Sequence, residues 1–411
     1  MALLRYAFLA ASVLAIWPSL ASSADGSAHR IATASLGNTA GVASVQPRVL
    51  PAVEQQPDVD RSLKAMVGQM ILLAFPGTSP TQEGPARVVT MIKEGRIGGV
   101  VLFSDNIENP AQVTTLIASL AADSHRPKPF ICVDQEGGAI KRLTSAKGFF
   151  RLPSAARVAL TTEDSAYSLY LSMARELSDL GFNVNFGPVV DLNINPDSPA
   201  IGRLGRTYDQ APAKVTAYAS QFIKAHEKAG VLTVLKHFPG HGSALADSHD
   251  GIVNISKTWR FTELDPYKDL IAGNFVQVVM VGHLIHPLFS DNGDRPASLS
   301  RLAITDTLRG ALGFRGLVVT DDLNMRAIRE HYAIEEAAAM AVAAGSDLIL
   351  VADQSDPAIA GKITEAILGA ITDGRISVSQ IEEAYARITK AKSELVPLSS
   401  NRPPLYAGVG R

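Results

Sequence analysis

Eight short apolar runs punctuate this chain, and their spacing leaves few folds open. They are Met70–Phe75, Gly99–Phe103, Phe130–Asp134, Val184–Phe186, Val231–Leu235, Val276–Val281, Leu317–Thr320 and Leu348–Val351. Runs this short and this continuously apolar suit strands buried on both faces of a parallel sheet. Amphipathic stretches separate them, among them Ser165–Leu180, Lys214–Ala229 and Ile334–Ala344. In the first, Leu169, Leu171, Met173, Leu177 and Leu180 are apolar, while Arg175, Glu176 and Asp179 are polar. Such alternation over about 300 residues favours an α/β fold of the (β/α)8 TIM-like barrel type in one domain. A doubly wound open sheet is the competing fold. It usually has fewer strands and a Gly-rich phosphate turn, and no Gly-x-Gly-x-x-Gly follows the first run.

Polar groups at the ends of these runs decide for the barrel. Asp134, Lys236–His237, His283 and Asp321 each follow an apolar run, and in a barrel all such ends meet on one face, where βα loops carry the chemistry. The densest segment is Lys236-His-Phe-Pro-Gly-His-Gly-Ser-Ala-Leu-Ala-Asp-Ser-His-Asp250. A packed core has no use for so many titratable groups, because burying them unpaired is expensive. A solvated loop would carry Lys, Glu and Ser rather than three histidines, whose charge changes near neutral pH.

Within it, Asp247-Ser-His249 has the makings of a proton-transfer pair, since a carboxylate bonded to imidazole fixes its tautomer and raises its basicity. The rival reading is metal binding by His237, His241, Asp247, His249 and Asp250. No His-x-x-x-His on one helical face supports it, and Lys236 would repel a cation, so no metal is expected. Asp321 closes its apolar run and is followed by Asp322. A strand-end carboxylate can act as nucleophile or general base, or cap the next helix; two adjacent aspartates allow Asp322 to cap while Asp321 works. Asp134-Gln-Glu-Gly-Gly138 reads as a tight loop offering Asp134 to a hydroxyl-rich ligand, or as a turn with solvated acids. Arg142, Arg203 and Arg206 could donate to hydroxyls, to carbonyls or to neighbouring acids.

The first 24 residues read as an export signal: Arg5, the apolar Ala7–Trp17, and small residues at Ala21–Ala24. This eleven-residue stretch, apolar but for Ser12 and ended by Pro18, is too short to span a bilayer stably. Residues 25–58, rich in Ala, Ser, Gly, Pro and Gln, read as a flexible linker. The barrel is expected over 59–395 and a Pro- and Ser-containing tail over 396–411, without a second α/β domain. Cys132 is the only cysteine, which leaves no intramolecular disulfide and no cysteine at the cleavage site for lipid attachment. The formal net charge is −2, which suggests neither nucleic acid nor an anionic membrane as partner. The expectation is a soluble exported protein, periplasmic and monomeric, with no membrane association once the signal is removed.

Together these motifs resemble glycoside hydrolase family 3, in its β-N-acetylglucosaminidase branch. Four stretches carry the resemblance over about residues 60–395: Val133–Gly138 with Arg142, Ile201–Tyr208, Lys236–His249 and Thr320–Met325. The Asp-Ser-His element selects the branch, since the family's β-glucosidases lack it. The resemblance implies a cofactor-free retaining exo-hydrolase with Asp321 as nucleophile. His249, paired with Asp247, would be the acid/base, delivered by Gly240–Ala246 as a flexible arm. Asp134, Arg142, Arg206, Lys236 and His237 would hold the non-reducing N-acetylglucosamine of an oligosaccharide or muropeptide from peptidoglycan or chitin, with Asp191 and His283 in support. Ala139 stands where family members often carry Arg, so the match rests on Arg142. The Ile201–Tyr208 stretch is longer than the common form, which leaves Arg203 and Arg206 as alternatives, with Arg206 before Thr-Tyr the better fit. The competing functions are an N-acetylglucosaminide phosphorylase on the same site, a β-glucosidase-type hydrolase, an exported sugar-binding protein and, most distantly, a metallohydrolase.

Overall fold

The computed structural model describes residues 56–122 and 128–395. The export signal, the linker up to residue 55 and the tail lie outside them. The linker expected to run to residue 58 meets a helix earlier, at Gln56–Gln69.

All eight expected strands form: β1 Ile71–Ala74, β2 Gly99–Leu102, β3 Phe130–Val133, β4 Val184–Asn185, β5 Leu232–Phe238, β6 Val278–Val281, β7 Leu317–Thr320 and β8 Ile349–Val351. Neighbours pair in parallel from β8 through β1 to β7, with registers such as Leu73↔Val100, Val101↔Cys132 and Val279↔Val318. The ring closes between β7 and β8 through the parallel bridge Val319↔Leu348 and the Thr320 N–H to Leu348 carbonyl bond of 3.1 Å. This is a (β/α)8 TIM-like barrel. Its strands are buried throughout, as a sheet wrapped by helices outside and filled by side chains inside requires. Alternate residues point inward: Phe130 and Cys132, Leu232 and Val234, Leu317 and Val319 line the interior.

The helices begin and end where local chemistry predicts. Glu163–Leu180 starts on Thr162, whose hydroxyl accepts the Ser165 N–H, and stops at Gly181 in the left-handed region. Pro212–Ala229 starts on proline and stops at Gly230. Glu176, polar in sequence, is buried and its carboxylate accepts the Phe150 N–H at 2.9 Å, so its face of the helix packs inward. At the barrel's N-terminal end, Lys392 of the last helix donates to the Gly98 carbonyl at 2.6 Å and the Gln69 Oε1 at 2.8 Å. That end is sealed, and the strand C-termini form the other, open end. No described helix is long and apolar enough to cross a membrane.

Candidate active site

One pocket at the open end gathers most of the residues singled out above for chemistry. Asp134, Arg142, Arg206, Lys236, His237, Asp247, His249 and Asp321 all line it, with Glu136, His241 and Asp322. Lys236 and His237 are consecutive in β5 and would point to opposite faces of a regular strand. The β5–β6 register breaks between Leu235 and Phe238, which lets both reach the pocket. Arg203 is exposed and stands outside the lining, so of the two candidate arginines Arg206 is the one at the site.

Along one wall, charges interlock. Lys236 Nζ lies 2.7 Å from Asp134 Oδ1 and 2.6 Å from Glu136 Oε1, with only 3% of its side chain exposed. Arg142 Nη2 donates to Asp134 Oδ2 at 3.0 Å, and its guanidinium sits over the Phe103 ring. Glu136 grips Arg206 with both oxygens, at 2.8 and 2.9 Å. Burial alone would raise the Glu136 carboxyl, but Arg206 and Lys236 outweigh it and hold it at about 2. Burial opposes ionisation of Asp134 as well, and there Lys236 and Arg142 prevail. Lys236 stays protonated because Asp134 and Glu136 more than offset its own burial. Glu136 is the member of this wall that sequence reasoning passed over. Its partner Arg206 lies seventy residues away in the chain, and only the pairing of loops after β3 and β4 shows the link.

Behind the wall, Asp191 is buried and fixes two histidines. Its Oδ2 accepts from His237 Nδ1 at 2.8 Å, and its Oδ1 from the backbone N–H of His241, also at 2.8 Å. Arg206 Nη2 meets His237 Nε2 at 3.3 Å. Burial and the neighbouring His237 lower His241 to about 4.

Asp321 follows β7. Burial favours its protonated form, but His283, His237 and His249 prevail and hold it below the usual carboxylate range. Its Oδ1 accepts the Asp322 N–H at 2.9 Å. Asp322 does not cap the next helix as expected. That helix, Arg326–Arg329, begins later on Met325. The Asp322 Oδ1 instead accepts the N–H groups of Asn324 and Ala352, at 2.9 and 2.8 Å, tying the β7 loop to the end of β8. Burial pushes Asp322 up to about 6. His283 lies behind it and spans Ser298 Oγ at 2.7 Å and the Asp322 carbonyl at 2.9 Å.

The loop after β5 brings Asp247 and His249 over the pocket. His249 Nδ1 stands 2.8 Å from Asp247 Oδ1, with His249 68% and Asp247 22% exposed. The hydrogen bond that His249 donates to Asp247, opposed by partial burial and helped by Asp321, raises His249 above its ordinary value. The flexible arm expected over Gly240–Ala246 is not one piece. Residues 240–244 are buried, and only Leu245 and Ala246 are exposed before Asp247. Ser248 turns back to His241 Nε2 at 3.3 Å. Among the described residues, no three His, Cys, Asp or Glu side chains are arranged as metal ligands. His237 is engaged through both ring nitrogens, and Asp250 points into solvent.

Residues 62–391 match the Glycosyl hydrolase family 3 N terminal domain. The chain is 31% identical over 372 residues to Beta-hexosaminidase A of Pseudoalteromonas piscicida, covering 82% of this chain and 61% of that protein. It is 35% identical over 308 residues to Beta-hexosaminidase LpqI of Mycobacterium tuberculosis, covering 72% of this chain and 76% of that protein. A glycoside hydrolase family 3 beta-N-acetylglucosaminidase from Paenibacillus superposes with a TM-score of 0.77 at 33% identity, over 84% of this chain and 65% of that one. The chain thus spans under two thirds of the length of the first and third of these relatives. With 330 matched residues inside one barrel, this chain belongs to glycosyl hydrolase family 3.

Proposed function

We propose that the chain is a retaining exo-β-N-acetylglucosaminidase that removes terminal N-acetylglucosamine from peptidoglycan- or chitin-derived fragments after export. One observation carries the reading: an ionised, buried carboxylate, Asp321, shares a pocket with an imidazole, His249, oriented by its own carboxylate. The hexosaminidase names of the relatives support the sugar, and the sequence pattern of residues 1–24 supports export.

In this reading an Asp321 oxygen attacks the anomeric carbon while His249 Nε2–H protonates the departing glycosidic oxygen. The bond between sugar and aglycone breaks, and a glycosyl ester on Asp321 forms. His249, now neutral, takes a proton from water as that water attacks the same carbon and frees Asp321. A single group thus serves as acid and then base, with a histidine where two-carboxylate glycosidases use a second acid. Asp247 raises the proton affinity of His249, which keeps an acid available near neutrality. Asp134 and Lys236 are held at the pocket wall by their mutual contact, as an acceptor and a donor for sugar hydroxyls. Arg206 and His237, engaged with Glu136 and Asp191, shape that wall.

A panel of aryl β-glycosides tests the assignment. The N-acetylglucosaminide should be cleaved at least about tenfold better than the glucoside or xyloside, a selectivity one well-bonded polar group readily supplies. Equal turnover of the three would overturn it. Running the panel in phosphate and in an inert buffer, with sugar 1-phosphate sought as product, separates hydrolysis from phosphorolysis.

A further inference from the structure

The loop that carries His249 is rooted in a set of contacts that lie outside the pocket. The Pro239 carbonyl accepts from Trp259 Nε1 at 3.1 Å, and Asn195 Nδ2 donates to the Ala244 carbonyl at 2.9 Å. Gly242 packs so tightly on Leu192 that a Cβ there would fall 1.7 Å from the Leu192 carbonyl oxygen. Beneath this root lies a carboxyl, Glu263, in the short 3-10 turn Phe261–Leu264, with 1% of the residue exposed.

Its neighbours are few. Its Oε1 accepts the Arg260 N–H at 3.2 Å. A Cβ on Gly240 would lie 2.8 Å from the Glu263 Cβ and 2.9 Å from Oε2, so the carboxyl and the loop backbone are in direct contact. From the loop, Ser243 lies near enough to favour its ionised form, yet neither the Ser243 hydroxyl nor the Glu263 Oε2 makes a hydrogen bond. From the preceding loop, Asp191 disfavours it. From the helix Asp265–Ala272, the Tyr267 phenol lies close enough to feel its charge. Among the described residues no ion pair reaches it, and burial pushes it up to about 7. A buried carboxyl without a cationic partner weakens the fold, and such local costs concentrate where function requires them.

We propose that Glu263 is a positioning residue for proton transfer: by packing against Gly240 it fixes the root of the loop and so the reach of His249 over a sugar at Asp321. Glu263 is outside the pocket lining, so its effect runs through the loop. The proposal rests on the reading of His249 as acid/base.

The experiment compares kcat/KM, which reports the first chemical step, on a disaccharide of N-acetylglucosamine and on its dinitrophenyl glycoside, whose leaving group needs no proton. Glu263→Ala should lose about 10- to 100-fold on the disaccharide and less than about threefold on the dinitrophenyl glycoside, within the range of general-acid contributions. Glu263→Asp, a smaller change that keeps a carboxyl but withdraws it from Gly240, should show the same selectivity at about three- to tenfold. Glu263→Gln, which keeps the acceptor for Arg260, should stay within about threefold of the parent on both. Equal losses on the two substrates in Glu263→Ala and Glu263→Asp, or no loss, would overturn the positioning role, provided that His249→Ala is itself selective for the disaccharide. Equal losses in His249→Ala would instead overturn the acid role on which the proposal stands.

Discussion

Replacing Asp247 by Asn removes a charge while keeping most of the side chain that holds His249. Asp247 Oδ1 accepts from both the backbone N–H and Nδ1 of His249, at 2.9 and 2.8 Å. An amide oxygen can take over the backbone bond, so the turn should persist. What is lost is the charge that stabilises the imidazolium. The pair is solvated, with His249 68% exposed, and a solvated ion pair is worth about 0.5–1 kcal/mol. At 1.36 kcal/mol per pKa unit this lowers His249 by roughly half a unit. The sign follows from the direction of the shift. Asp247 raises His249, so the protonated acid of the parent survives until the pH climbs through that raised value, and the variant loses it earlier. The alkaline limb of the kcat/KM profile should therefore move toward acid by about half a unit. Poorer control of the imidazole tautomer should add a loss of roughly 10- to 100-fold at the optimum, less than the loss of about 10⁴ seen for a buried triad aspartate. The acid limb, which the proposed mechanism assigns to Asp321, should stay in place. The assay is kcat/KM against pH on a disaccharide. An alkaline limb that stays put or moves upward would refute the reasoning.

Two further perturbations probe the wall and the core. Glu136→Gln leaves Arg206 and Lys236 short of a counter-charge in a buried site, so stability to urea should fall by about 3–5 kcal/mol and KM should rise; unchanged values of both would show that the network is not needed. His226 is buried, bonded to the Phe222 carbonyl at 2.8 Å and held by burial at about 4. It is neutral in the fold and charges more readily when unfolded. Its contribution is complete above about pH 6.5 and is lost as the pH falls through 4, at up to about 1.4 kcal/mol per pH unit. His226→Gln should flatten the stability-versus-pH curve by that slope relative to the parent, and parallel curves would contradict the argument. Glu263, raised to about 7, acts with the opposite sign between about pH 4.5 and 7, which is why the comparison is made between two proteins rather than on one.

The barrel was legible because its strands are short, continuous and apolar, and because parallel strands covered on both faces leave no other pattern. The strand-end residues followed from the same logic: once the runs were placed, Asp134, Lys236, His237 and Asp321 had to share one rim. What escaped were contacts between distant loops. The grip of Glu136 on Arg206 and of Asp191 on His237 spans 70 and 46 residues respectively, and no local spacing encodes either. Asp322 read as a cap because its sequence neighbourhood is that of one, whereas the Ala352 N–H from the next loop claims it. Gly240–Ala246 read as a flexible arm on its glycines and small residues. Tight packing of Gly242 on Leu192 and of Gly240 on Glu263 uses those same glycines for close approach rather than for freedom.

The central claim, that Asp321 carries the sugar during turnover, is tested most directly by trapping. A fluorinated N-acetylglucosaminyl fluoride combines a reactive leaving group with a slowed second step, so the ester should accumulate and be found by mass spectrometry of the digested protein. The account predicts one adduct of the sugar's mass, on the peptide containing Asp321. An enzyme inactivated with the adduct on another residue, or turning the reagent over with inversion and no adduct, would contradict it.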